Sequence, residues 1–243
     1  MDKDTFWKII DDARNSCIDP NDQTAMLNAT IKGLLNYPSD EIAAWRRIQY
    51  FYHKIAYRRD LWAACTATRS HDTDDGFIDF RSWLISQGHE VYLRALHDPD
   101  SLADLDFPAG AADFESFDYV ANRAYSLKAA LESQDLKSIL YDCCVWSAEN
   151  AGRIYRGLEA HHMSEADKKE WLTNRYVQEL AQKYSIYPVA NGEPLDVETN
   201  LDIFSEINLR PDIDCWEQQD LPHIVPRLCA KYEVEQTYEQ GDE

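Results

Sequence analysis

Only 8 of the 243 residues are glycine, and that scarcity restricts the fold more than any other feature of the chain. Tight hairpin turns and phosphate-cradling loops depend on backbone conformations with positive φ, which glycine alone adopts cheaply. A chain so poor in glycine is driven toward helices. It also lacks the loops of nucleotide-binding α/β enzymes: no GxGxxG, no Walker-type loop and no GxSxG elbow occurs. No cofactor is expected. The aromatic stock is large, with 7 Trp, 14 Tyr and 8 Phe, enough to fill a well-packed core because each ring buries a large area.

Apolar residues recur at helical spacing. Phe6, Ile9, Ile10, Ala13 and Cys17 define one face of a first helix, with Asp4 expected as its N-cap. Asp19-Pro20-Asn21-Asp22 reads as a turn, and a second helix is expected over Gln23–Leu35. Pro38-Ser39-Asp40-Glu41 opens a third, whose stripe is Ile42, Trp45, Ile48, Tyr52 and Ile55. A short helix follows around Leu61–Ala64. Further helices are expected over Phe114–Leu131, Leu136–Leu158, Ser164–Tyr184 and Asp220–Lys231, the last with Pro226 as a kink or late start. Asn191-Gly192 is a weakly flanked hairpin signal. The reading is an all-α, single compact multi-helix domain over residues 1–232, with a loop-rich acidic C-terminal third and an acidic tail at 233–243.

The formal net charge is −20, which repels nucleic acid and anionic membranes and attracts basic partners. From Glu193 to Glu243 there are 14 acidic and 3 basic residues, a net −11, so about half the excess sits in roughly the last fifth of the chain. The cysteines (17, 65, 143, 144, 215 and 229) form no CxxC and no zinc-ligand spacing. No metal is expected. Cys143-Cys144, side by side on a helix, make a poor disulfide. The opening MDKDTFWK lacks a signal-peptide core, and no apolar run reaches membrane-spanning length. A reducing cytoplasm is the expected compartment.

The most distinctive stretch runs from His71 to Ala103. Asp74 or Asp75 is placed to cap a helix from Gly76 to Gln87, with Gly88 as its positive-φ stop. Phe77, Phe80, Arg81 and Leu84 share a face, which sets a guanidinium among apolar side chains. Arginine keeps its charge, so Arg81 is expected to find a carboxylate, with Asp74, Asp75 and Asp100 the candidates nearby. Two readings compete. In one, the four residues form a structural ion-pair network. In the other, Asp74, Asp75 and Arg81 line a cleft for a polar ligand or a metal. A second helix over His89–His97 turns Val91, Tyr92 and Leu96 inward, and Pro99-Asp100-Ser101 caps a further turn with Leu102. Asp72-Thr73-Asp74-Asp75-Gly76 fails as an EF-hand loop: its glycine comes one position early, and Trp83 stands where a bidentate Glu is needed. His71, His89 and His97 match no metal-binding spacing, and His161-His162 fit a helix end.

The same stretch carries a resemblance. Trp62-Ala63-Ala64, Asp74-Asp75-Gly76-Phe77, Phe80-Arg81, Trp83-Leu84-Ile85, Gln87-Gly88, Tyr92, Ala95-Leu96 and Pro99-Asp100-Ser101-Leu102-Ala103 resemble the signature of a bacterial family, domain of unknown function 4240. Phe6-Trp7 and Ile9-Ile10 are similar to its N-terminal opening, and Pro226-Arg227-Leu228 to a frequent terminal Pro-Arg-Leu. Ser70-His71-Asp72-Thr73 departs from the Gly and Cys-Ser the family often has before the paired aspartates. The resemblance implies a bacterial protein with this helical core and brings no activity with it.

The charge and the missing enzyme loops together point to an interaction protein that docks a basic protein. One concrete form is an immunity-type inhibitor of a basic toxin. The alternatives are a ligand- or metal-binding enzyme built on the Asp/Arg cluster, and a structural role in an assembly with the acidic tail as its contact.

Overall fold

The computed structural model describes residues 1–68, 73–132 and 197–234 of the chain. The expected helices over 136–158 and 164–184, the Asn191-Gly192 turn, His71, Asp72, Cys143, Cys144, His161, His162 and the tail after residue 234 lie outside the described residues. Among the described residues the structure is all-α, with no strand. The helices are α1 (Lys3–Ser16), α2 (Gln23–Leu34), α3 (Ser39–Ile55), α4 (Arg59–Ala67), α5 (Asp74–Ser86), α6 (His89–His97), α7 (Glu115–Asp118), α8 (Val120–Glu132), α9 (Val197–Glu206), α10 (Leu221–Ile224) and α11 (Pro226–Lys231), with 3-10 turns at Pro99–Asp104 and Gln218–Asp220.

The apolar stripes point where their spacing requires. Phe6, Ile9, Ile10 and Ala13 of α1 are buried, as are Ile42, Trp45, Ile48 and Tyr52 of α3. Their rings meet in one cluster. Phe6 lies 4.7 Å from Trp45 and 5.3 Å from Tyr52, and Tyr52 lies 4.8 Å from Trp7 and 5.2 Å from Tyr92. A second row of rings runs from α5 to the end of the described chain: Phe77, Phe80, Trp83, Phe107 and Tyr232, with successive centroids 4.8 to 6.0 Å apart. Edge-to-face and tilted pairs of this kind add stability beyond the area they bury.

Helix ends show where short-range chemistry decided. Asp2, rather than Asp4, caps α1, its carboxylate accepting the Thr5 N–H at 2.8 Å. Thr73, rather than Asp74 or Asp75, caps α5 by accepting the Gly76 N–H at 3.2 Å, and the two aspartates occupy the first turn, where the helix dipole favours anions. Gly88 has φ 93°, as the stop between α5 and α6 requires. A Cβ there would also sit 2.5 Å from a carboxylate oxygen of Asp11, which accepts the His89 N–H that opens α6.

Two expected helices are each broken in two. The Phe114–Leu131 helix divides into α7 and α8 at Tyr119. The Asp220–Lys231 helix divides into α10 and α11 at Val225, because Pro226 supplies no N–H to continue α10 and instead starts a new helix.

Residues 207–234 return to the first half of the chain through hydrogen bonds to helix ends. Asp212 accepts the Arg59 N–H at the start of α4 (3.1 and 3.2 Å), and the Trp216 indole donates to the Arg59 carbonyl at 2.9 Å. Lys231 reaches the carbonyls of Ala103 and Leu105, and the Tyr232 hydroxyl donates to the Phe107 carbonyl at 3.0 Å.

Candidate functional site

The four residues singled out in sequence do not form one cluster. Asp74 and Asp75 are exposed on the first turn of α5. Arg81 is buried (7% exposed), but backbone oxygens rather than carboxylates take its hydrogen bonds: Nε donates to the Phe77 carbonyl at 3.1 Å and Nη1 to the His53 carbonyl at 2.9 Å. Its planar cation lies 4.9 Å from the rings of both Tyr57 and Phe77. Among the described residues its direct partners are two carbonyl dipoles and two ring faces rather than a carboxylate, a solution open to a weakly hydrated, planar guanidinium. Asp100, equally buried, faces the other way. Its two carboxylate oxygens accept the N–H groups of Arg227 (3.1 Å) and Leu228 (2.9 Å), capping α11. Arg227 in turn pairs with Asp104. The Pro99-Asp100-Ser101 and Pro226-Arg227-Leu228 segments, 127 residues apart, are therefore two halves of one contact.

Two described carboxylates, Asp118 and Asp74, act on Arg81 through their charge. Asp118 belongs to a buried polar network along one face of α3. Arg46 grips Asp118 with both terminal nitrogens, at 2.9 and 3.2 Å, and Arg46 Nη1 also donates to the Gln49 side chain at 2.9 Å. Gln49 donates onward to the Phe117 carbonyl at 2.9 Å, fixing α7 against α3. Burial pushes the Asp118 carboxyl up, but the Arg46 charge and hydrogen bonds, helped by His53 and Arg81, outweigh it and hold it below its ordinary value. His53 lies 3.0 Å from the Ser82 hydroxyl and 3.6 Å from Asp118. Desolvation drives the imidazole down to about 3, with Arg81 and Arg46 adding to the effect against Asp118, so it is neutral at physiological pH. A serine, a histidine and an aspartate in a row invite comparison with a nucleophilic triad. Two observations exclude it. Both contacts fall on the same ring nitrogen, Nε2, whereas a triad uses one nitrogen for each partner. Ser82 is also fully buried, out of reach of a substrate. The network locks α3, α5 and α7 together.

The accessible chemistry lies at the other end of α1. An open cleft of about 1000 Å³ is lined by Met1, Asp2 and Thr5 at the start of α1, Tyr37 and Glu41 at the start of α3, and Glu198, Thr199 and Asp202 of α9. Four of its eight lining residues are acidic. The N-terminal ammonium pairs with Glu41 at 2.5 Å. Lys3, on the first turn of α1, lies 3.2 Å from Asp4, 3.4 Å from Asp202 and 3.7 Å from Glu206. Glu206, the last residue of α9, holds a second cluster: it accepts the Tyr52 hydroxyl at 2.5 Å and meets His89 Nε2 at 3.2 Å. The His89 ring stacks on Trp7 at 5.0 Å. Burial pushes the Glu206 carboxyl up, and the hydrogen bonds from His89 and Tyr52, with the charges of His89 and Lys3, bring it below its ordinary value. Among the described residues no group of His, Cys, Asp and Glu is arranged to hold a metal. No described helix is long and apolar enough to cross a membrane.

A family model described as protein of unknown function (DUF4240) matches residues 1–127, a little over half of the chain. The chain belongs to the DUF4240 family. No curated protein and no solved structure matches it. The DUF4240 match contains the whole buried network of Arg46, Gln49, His53, Arg81, Ser82 and Asp118. It contains only part of the cleft, since Glu198, Thr199, Asp202 and Glu206 lie beyond it.

Helical spacing places Arg81 among apolar side chains and offers Asp74, Asp75 and Asp100 as its partners; the structure buries Arg81 and turns Asp100 to α11 instead. The polar face of α3 was missed, although Arg46, Gln49 and His53 stand at i, i+3 and i+7. A polar face opposite an apolar stripe is also the pattern of an ordinary solvent-facing helix, so the spacing alone does not disclose that this face is buried. Glu206 gave no comparable signal, because its partners Lys3, Tyr52 and His89 are distant in sequence.

Proposed function

We propose that this chain is a docking protein for a basic partner and that the cleft at the start of α1 receives the partner's cationic side chains. The observation that carries the reading is the cleft's wall: carboxylates of Asp2, Glu41, Glu198 and Asp202, supplied by three separate helical elements, around an open volume large enough for an extended lysine- or arginine-bearing segment. The net charge of −20 would draw such a partner in and speed encounter, and the cleft would give it a register. An immunity-type inhibitor of a basic toxin is the concrete form this function would take. The ligand- or metal-binding reading attached to Asp74, Asp75 and Arg81 has weaker support: Arg81 is enclosed and the two aspartates are exposed, although the Asp74 charge reaches Arg81.

A fluorescently labelled oligolysine peptide, titrated by anisotropy at low and moderate salt, tests the proposal. The native chain is expected to bind with an affinity that falls as salt rises. The Glu41→Gln, Glu198→Gln, Asp202→Asn triple variant is expected to bind about tenfold or more weakly, as three neighbouring charge contacts would contribute. Equal binding by native and triple variant would place the attraction in the general surface charge and refute the cleft.

A further inference from the structure

We propose that α9 is a strap forming one movable wall of the cleft, held down at its C-terminal end by Glu206. Three observations combine. First, α9 is weakly rooted. Of its side chains that the structure describes, only Ile203 is fully buried. Leu201 is 66% exposed and Phe204 52%, the latter touching Phe51 with its ring edge at 5.4 Å. A ten-residue helix is marginal in water on its own, so its contacts decide whether it stays seated.

Second, several polar contacts from described residues gather at its C-terminal end. Glu206 faces Tyr52 of α3 (2.5 Å), His89 of α6 (3.2 Å) and Lys3 of α1 (3.7 Å), three donors from three core helices. Asp202, one turn earlier, shares Lys3 at 3.4 Å. Hydrogen bonds to an ionised carboxylate in a half-buried site are stronger than those between neutral groups. Third, the opposite end of the strap faces like charge. Glu198 and Asp202 line the same cleft as Asp2 and Glu41; the N-terminal ammonium on Glu41 and Lys3 on Asp202 offset part of that charge, and the excess of carboxylates across the gap pushes its walls apart. Attraction at Glu206 and repulsion near Glu198 therefore oppose each other along one short helix. Such an arrangement opens locally without unfolding the core. A cation entering the cleft would relieve the repulsion and seat the strap.

The test is hydrogen exchange by mass spectrometry on the full chain, comparing the native protein with Glu206→Gln, Tyr52→Phe and Glu198→Gln. It requires no partner, so its outcome is separate from that of the docking proposal. Glu206→Gln and Tyr52→Phe are expected to speed exchange across residues 197–206 by about tenfold or more, the loss expected for a charge-assisted hydrogen bond. Exchange in 39–55 and 74–86 is expected to stay unchanged. Glu198→Gln is expected to slow exchange across 197–206. The proposal is overturned if 197–206 exchanges at the native rate in Glu206→Gln and Tyr52→Phe, if protection falls evenly along the chain in those variants, or if Glu198→Gln loosens the strap.

Discussion

Asp100→Ala is expected to lower the stability of the fold by about 2–4 kcal/mol, as the loss of an N-cap from a buried site leaves two backbone donors without acceptors. The carboxylate is buried and serves both the Arg227 and Leu228 N–H groups. Water cannot easily replace it, because Leu228 beside it is fully buried. Asp100→Asn keeps one acceptor oxygen and is expected to recover roughly half of the loss. Chemical denaturation of the three proteins measures the differences directly. A loss below about 0.5 kcal/mol for Asp100→Ala, the size typical of a surface substitution, would show that α11 contributes nothing to the cooperative core.

Asp118→Ala is expected to cost more, about 3–5 kcal/mol, the usual penalty for leaving one partner of a buried ion pair uncompensated. The stranded group would be Arg46, whose side chain is 6% exposed. Its remaining polar partner in the network would be Gln49. The double variant Arg46→Met, Asp118→Ala removes both charges and is expected to be clearly more stable than Asp118→Ala alone. The pH dependence has a definite sign. The Asp118 pKa is lower in the fold than in the unfolded chain, so below its unfolded value the unfolded state holds the extra proton. The pair's contribution is therefore complete above about pH 4 and is lost as pH falls through the folded value. Urea denaturation of the native protein and the double variant at pH 7 and pH 3 would reveal it, the native protein losing more between the two. His53, held neutral by burial, adds a second acid-sensitive loss that both proteins carry; equal losses would remove Asp118 from the acid-sensitive groups.

Both substitutions show what the sequence could and could not disclose. Apolar periodicity located the helices because burial of a stripe is a local property. Phe6, Ile9 and Ile10, or Ile42, Trp45 and Ile48, point inward regardless of what they meet. Gly88 was legible for a similar reason, since a positive φ between two helices requires glycine there and nowhere nearby. Charge partners were not legible. Arg81 was rightly read as set among apolar side chains, but nothing in the spacing says that it turns to the His53 carbonyl and Asp100 to a helix beginning 126 residues later. Long side chains reach several ångströms in any direction, and tertiary packing chooses among the acceptors. The same holds for the cleft, whose acidic walls come from residues 2, 41, 198 and 202. The sequence announced an acidic C-terminal third. It did not say that α9 would set part of that charge against the N-terminus.

The carboxylates thus divide by task, with Asp2 serving in both as the cap of α1 and a wall of the cleft. Asp100, Asp118 and Asp212 spend their charge on helix ends and a buried arginine. Asp2, Glu41, Glu198 and Asp202 line the cleft, where a cation can reach them.

Zero-length carbodiimide coupling tests that division most directly, because it joins a bound lysine to whichever carboxylate it touches. With the oligolysine peptide bound at low salt, peptide mapping is expected to place the adducts on Glu41, Glu198 and Asp202. Adducts spread over Asp74, Asp75 and the acidic residues after position 234, with the cleft carboxylates unmodified, would contradict it.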